Sequence, residues 1–452
     1  MAQASLRRRL ATHQRLGVYF SFNRTVYILL LFTLGKGLQL TIGQVTINLY
    51  VYSLGYDEQY VGIFAAMSAI GALVASVPIG FLADRIGRKP LLMVSGALTP
   101  LSLVAIAFTT NPTLLILASL LNGISASPYW VVNLPLLTEN TTQDQQVGAL
   151  AMNSFLLLGV GSFGALIGGL VPEFVSGIID LPANSTIPLR TGVLVAAFIV
   201  LLTALPLPWL REIPRSKAIH ATTPEVAPSA TVDVPEAAAA MPSTSAPAVG
   251  DDTPEDPRTR WGVVILFTKL LTPDVLFTIG EGAVVALLQL YFTLQFGINI
   301  GVLGVMITLA GLVGGATALA SPGFVRRFGR LRLATSMQYL SAPVMLVIGF
   351  SPFFALAALA EFARQMLRGI FEPVYASFAM SRVSTRYRGR LSGFYSMTWS
   401  IGYSIGAVVE GWLQQHVGLS ASFPVGALFL VTSATLLRLF FGRDKPKPGS
   451  LP

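Results

Sequence analysis

Long apolar runs separated by short polar turns dominate the chain. A helix needs about 20 such residues to cross the hydrocarbon core of a bilayer. Only a helix or a closed barrel satisfies its own backbone there, and these runs are too long and continuous for barrel strands. The pattern predicts twelve spans: 26–53, 60–82, 90–110, 113–137, 147–171, 188–210, 274–296, 300–321, 332–350, 352–378, 391–413 and 422–441. Between the sixth and seventh the pattern lapses. Residues 211–260 hold 8 of the 28 prolines and a run of Ala, Ser, Thr and acids, a composition that cannot form a packed core. The expected organisation is an N-terminal segment 1–25, a six-helix bundle 26–210, a disordered linker 211–260, a second six-helix bundle 261–441 and a tail 442–452. The second bundle opens with a segment, 261–273, whose aromatics and basic residues suit an interfacial helix. This is an all-α polytopic membrane protein.

Composition agrees. Of 452 residues, 53% are apolar and 11% charged, against roughly 25% charged in soluble proteins, so a water-soluble enzyme is excluded. The absence of cysteine rules out disulfides, thiolate metal sites and a cysteine nucleophile. Three scattered histidines (His13, His220, His416) argue against a histidine metal centre, and no cofactor is expected. The net charge of +9 would suggest nucleic acid in a polar protein, but 25 of the 30 Lys and Arg fall in loops and termini on one face, and only Arg190 in a loop on the other. The positive-inside rule then places both termini and the linker in the cytoplasm and accounts for the charge without nucleic acid. Arg7-Arg8-Arg9 precedes polar residues with no cleavage site after the first apolar run, so the start reads as a tail leading into a retained span.

The halves are weakly similar at an offset of about 241 residues. Asn48-Leu49-Tyr50 matches Gln289-Leu290-Tyr291, and Val147-Gly148-Ala149-Leu150 falls on Arg388-Gly389-Arg390-Leu391. Gly62 precedes Asp84 by 22 residues, as Gly304 precedes Arg326, and the turn Asp84–Arg88 corresponds to Arg326–Arg330. Two pseudo-symmetric bundles about a central site are what alternating access requires.

Between spans 2 and 3 lies Gly80-Phe81-Leu82-Ala83-Asp84-Arg85-Ile86-Gly87-Arg88-Lys89. It resembles, without mismatch, the G-x-x-x-D-R-x-G-R-K signature of the major facilitator superfamily, in the place that family puts it. The resemblance covers nearly the whole chain outside tails and linker. It implies the twelve-helix fold, secondary transport and a gate at Gly80, Asp84, Arg85, Gly87, Arg88 and Lys89 that holds the outward-facing state. The second copy has Arg326 where Asp84 stands. In span 5, Gly164–Gly169 resembles the family's G-P-x-x-G-G exporter motif with Ala165 in place of proline, although small residues at this spacing more often serve close helix packing.

An ionisable side chain at mid-membrane costs a few kcal/mol and usually faces a cavity. In the family, spans 1, 4, 7 and 10 line that cavity. Lys36 lies ten residues into span 1, about 15 Å along the helix. Glu281 in span 7 is the proton-coupling candidate, the alternative being a permanent ion pair with Arg364 or Lys36. Glu361, Arg364 and Arg368 share one face of span 10, where Glu361 and Arg364 can pair and Arg368 remains for an anion or another acid. Gln39, Asn48, Asn122 and Gln289 offer hydrogen bonds to a substrate or between helices. Glu410 is expected near the outer end of span 11, within reach of water.

The expected function is alternating-access secondary transport of a small-molecule substrate, and no Walker A pattern points to ATP. Proton-coupled export of an amphipathic or drug-like molecule is the leading version. Proton-linked uptake of a polar or anionic metabolite is the alternative, followed by a lipid translocase or a non-transporting sensor on the same fold. The expected setting is the bacterial inner membrane, with lipid and protons as partners and a monomeric protein.

Overall fold

The computed structural model describes residues 22–211, 257–383 and 385–442. The expected N-terminal segment, linker and tail lie almost wholly outside the described residues. The first half comprises α1 (Arg24–Ser53), α2 (Glu58–Ile86), α3 (Arg88–Phe108), α4 (Pro112–Glu139), α5 (Gln143–Ser154), a π-helical turn (Phe155–Val160), α6 (Phe163–Ile179) and α7 (Thr186–Ala204). The second comprises α8 (Pro257–Val285), α9 (Leu288–Phe296), α10 (Ile300–Phe328), α11 (Arg330–Phe350), α12 (Phe354–Arg382), α13 (Thr385–His416) and α14 (Ser422–Phe441). The fifth crossing is α5, the π turn and α6; the seventh is α8 with α9. Twelve crossings result, six in each bundle, with no strand among the described residues.

Local chemistry sets several boundaries. Asn23 and Asp57 cap α1 and α2 by accepting from the amides of Val26 and Tyr60 at 2.9 and 2.7 Å. Gly87 and Gly329 turn the chain between α2 and α3 and between α10 and α11 at φ 91° and 76°, a region other residues rarely adopt. Ten crossings are long and apolar enough to span a bilayer on hydropathy alone. The other two, α12 and α13, carry the charges and polar groups described below. Residues 261–273, expected as a separate interfacial segment, continue into span 7 as one helix, α8. Pro273 does not end it, because a proline costs a helix one hydrogen bond and tight packing can hold the rest.

The repeat seen in the sequence is a structural one. Tyr50 donates to the carbonyl of Ala107 at 2.6 Å, and Tyr291 to that of Ile348 at 3.0 Å. Between the bundles, α2 packs on α13 and α6 on α10. A Cβ on Gly62 would lie 3.0 Å from the Cα of Gly411, and one on Gly304 would lie 3.0 Å from that of Gly169. Ser404 reaches the carbonyl of Ala66 at 3.5 Å, and Thr308 that of Ser162 at 3.1 Å. These paired contacts lie toward the end of the molecule opposite the Arg-rich loops. Nearer those loops, a Cβ on Gly80, Gly315 or Gly323 would meet no described atom within 4 Å. The bundles therefore seal at one end and diverge toward the basic end.

Candidate functional site

The seventh and tenth crossings bring the candidate charges of the second bundle together. Arg364 on α12 is 1% exposed, and its Nε and Nη2 donate to Glu361 at 2.7 and 2.8 Å, a bidentate fork one turn back on the same helix. Its Nη1 donates to Glu281 on α8 at 2.7 Å. Arg368, one turn further on, lies 3.7 Å from Glu281 and donates to the more exposed Glu372 at 2.8 Å. The Arg368 guanidinium also sits 4.9 Å from the ring centre of Trp399 on α13. Glu281, Glu361, Arg364 and Arg368 thus form one chain of charge running from a dry interior to a wetter surface.

Two buried acids escaped recognition or were misplaced by sequence reasoning. Asp274, two turns before Glu281 on α8, is 3% exposed and accepts from the Thr398 hydroxyl, with Tyr375 and Tyr395 nearby. It follows Pro273, so it reads as a polar residue opening a span; its place inside a continuous helix was the missing information. Glu410 does not reach water. It is fully buried, its carboxylate accepting from the Leu287 amide at 2.9 Å and from Gln414 at 3.1 Å. Helix α13 turns it toward α8 and α9 and away from the surface.

The first bundle presents different chemistry. Among the described residues the Lys36 ammonium is buried with no hydrogen-bond partner, 5.8 Å from the ring centre of Tyr129, whose hydroxyl lies beside Thr33. Nearby, Asn133 on α4 and Thr33 on α1 both donate to Asn153 on α5, at 3.0 and 2.8 Å. Gln39 and Gln289 are buried with unpartnered amide atoms. Asn122 donates to Ser102 at 2.9 Å and so bridges α4 and α3. Asn48 donates to the Ala286 carbonyl at 2.6 Å, a bond between the two bundles. Lys36 and Glu281 make no contact with each other: each lies in its own bundle.

Of the signature residues, Gly80, Asp84 and Arg85 lie in the last two turns of α2, with Asp84 and Arg85 exposed. Arg88 pairs with Glu139 on α4, and Lys89 donates to the Pro208 carbonyl at 2.8 Å; both contacts stay within the first bundle. The glycines of the fifth crossing are packing surfaces. Gly161 and Gly164 sit against Gly37 and Leu38 of α1 with no room for a Cβ, Gly168 packs tightly on Ile42, and Gly169 faces α10. Just after the π turn, the Gly161 carbonyl accepts from Thr41 of α1 at 2.5 Å as well as from the Gly164 amide at 2.9 Å.

Comparison with known proteins fits this architecture. The family model of the Major Facilitator Superfamily matches residues 27–247 and 274–452. The chain belongs to that superfamily. Over 169 residues it is 30% identical to the multi-drug resistance efflux pump PmrA of Streptococcus pneumoniae, an alignment spanning 36% of this chain and 39% of the pump. It is 27% identical over 144 residues to the MFS-type transporter ppzB of Metarhizium rileyi, spanning 32% of this chain and 29% of that protein. Both matches cover well under half of those relatives' lengths. Among solved structures, a bacterial homologue of the human lysosomal transporter Spinster, inward-facing and unoccupied, superposes with a TM-score of 0.70 at 14% identity, covering 94% of this chain and 98% of that one. The xylose transporter XylE of E. coli, inward open, gives 0.66 at 15% identity over 94% of this chain and 98% of its own. As a member of the superfamily the protein is an integral membrane transporter.

Proposed function

We propose that this superfamily member is a proton-driven exporter of small amphipathic or drug-like molecules, acting as a monomer in a bacterial inner membrane with its basic end in the cytoplasm. The observation that carries the proposal is the ion cluster joining α8 to α12. Arg364 is gripped twice by Glu361 on its own helix but only once by Glu281 across the gap. A proton taken by Glu281 removes its charge and weakens that single bond while Arg364 stays paired, so the coupling of the two helices loosens without stranding a buried charge. Among the described residues, the second bundle buries four carboxylates (Asp274, Glu281, Glu361, Glu410) against one guanidinium, Arg364. That excess of acid supports proton traffic, and the partial similarity to an efflux pump supports the outward direction. The bundles diverge toward the basic end, the side from which an exporter loads. The signature residues Asp84, Arg85 and Arg88 close that side in the other state.

Proteoliposomes containing an internal pH dye test the reading. Added amphipathic compounds should move protons opposite to the compound, and Glu281→Gln should abolish proton movement while sparing downhill compound flux. Absence of proton movement with every transported compound would overturn the coupling, and co-directional flux would overturn the export.

Lys36 favours a second reading, uptake of an anionic metabolite. Among the described residues it is a buried ammonium without a hydrogen-bond partner, and a substrate carboxylate or phosphate would supply a counter-charge. Selective loss of anion transport in Lys36→Met would favour it over export.

A further inference from the structure

The seventh crossing is interrupted at Ala286-Leu287, between α8 and α9, and nothing in its local sequence explains why. The stretch Val284-Val285-Ala286-Leu287-Leu288-Gln289 contains neither proline nor glycine and would continue a helix without strain. An interrupted helix frees backbone groups, and three of those freed here have specific partners. The Leu287 amide donates to the Glu410 carboxylate at 2.9 Å, and the Ala286 amide faces the same group. The Ala286 carbonyl accepts from Asn48 of the opposite bundle at 2.6 Å.

The molecule contains its own control. By the repeat's offset of 241 residues, Ala286-Leu287 corresponds to Val45-Thr46, and Glu410 to Gly169. Gly169 packs against α10 and carries no acceptor for α1, and α1 runs unbroken through Val45 and Thr46. The acid is present where the helix is broken, and a glycine stands where it is whole.

We propose that Glu410 is a second proton-binding site and that its ionisation switches the seventh crossing. In the ionised form both carboxylate oxygens accept, one from Leu287 and one from Gln414, and the break is held. A proton on the carboxylate weakens that acceptor, the Leu287 amide returns to the helix, and the Ala286 carbonyl is taken by the Leu290 amide four residues on. Asn48 then loses its partner, and the seal between the bundles loosens. Access fits this order. Glu410 adjoins Gly411, which abuts Gly62, so parting the bundles at that end exposes the carboxyl to the outer solution. The groups around it are few: Tyr403 and Gln414 on α13, Asn48 on α1, Glu58 at the start of α2 and, through its field, Arg364 on α12. The proposal rests on the outward orientation of the sealed end argued above, and not on Glu281 carrying a proton.

Because the chain lacks cysteine, spin labels can be placed cleanly at Asn184→Cys and Val417→Cys, exposed positions on the sealed ends of the two bundles. Their distance distribution is measured against pH, without substrate or gradient, in wild type, Glu410→Gln and Glu281→Gln. Wild type and Glu281→Gln should shift toward longer distances as pH falls, by up to about tenfold in the population ratio per pH unit for one linked proton. Glu410→Gln should be open at every pH. Hydrogen exchange over residues 284–291 should slow at low pH as the helix closes, which gives a readout independent of the labels. A Glu410→Gln protein that keeps the wild-type pH response, or exchange unaffected by pH, would overturn the switch. If Glu410→Gln misfolds, Asn48→Ala carries the test: it should populate the open distance at neutral pH, and an unchanged distribution counts against the proposal. Failure of proton-coupled flux with an intact distance response would overturn the export reading alone.

Discussion

Arg364 carries two contacts of unequal grip, and that inequality sets what each substitution does. Removing the guanidinium leaves Glu361 buried without a partner and Glu281 with only the longer contact to Arg368, so Arg364→Met should destabilise the protein by about 3–5 kcal/mol. Thermal unfolding in detergent, beside the milder Glu281→Gln, would check this. Lys36 predicts the opposite sign. Its ammonium has no partner to lose, so Lys36→Met should leave the melting temperature unchanged or raise it. If transport falls nonetheless, the residue is kept for function at the expense of stability, because a packing residue would lose both together. Asp274 lies between these cases, since Asp274→Asn keeps an acceptor for Thr398 and should fold normally.

At the level of helices, the sealed end depends on backbones meeting where side chains are absent. Gly62→Val or Gly304→Val would place atoms where Ala407, Gly411, Ala165 or Gly169 now stand. Either change should shift the population toward the state with that end open. Thiol accessibility of a single cysteine at Ser404, which is buried here beside Ala66, should rise several-fold if this is right and stay flat if it is not. The crossings themselves were legible in the sequence, because twenty apolar residues admit no other solution in lipid, and the repeat was legible in Gly62, Gly304, Tyr50 and Tyr291. The break at Ala286 was not legible. It is imposed by Glu410, more than a hundred residues away, and no local breaker marks it. Asp274 and Glu410 were obscured for a related reason: the direction in which a helix turns a polar residue depends on neighbours that hydropathy does not name. The Glu361–Arg364 pair needed only a spacing of three on one helix and could be read directly.

Across the whole molecule the two bundles share a fold but differ in charge. Among the described residues the first buries one ammonium, and the second buries four carboxylates against one guanidinium. Proton-linked work is therefore expected to reside in the second bundle. Neutralising its acids should shift the pH profile of transport, whereas changes at Lys36 should alter substrate preference and leave the profile in place; transport rates measured from pH 5 to 9 for both variants would separate these outcomes.

The glycine contacts at the sealed end also bear on entropy. A side chain caught in a closing interface loses rotamer freedom, at up to about 2 kcal/mol for a long one. Gly62, Gly411, Gly169 and Gly304 have no rotamers to freeze, so the seal forms with almost none of that loss. Its attraction is short-range dispersion between backbones, which fades within about an ångström of separation. Such a joint holds firmly while shut and exerts no pull once parted, which suits a transporter that must pass through its closed state and leave it again on every cycle.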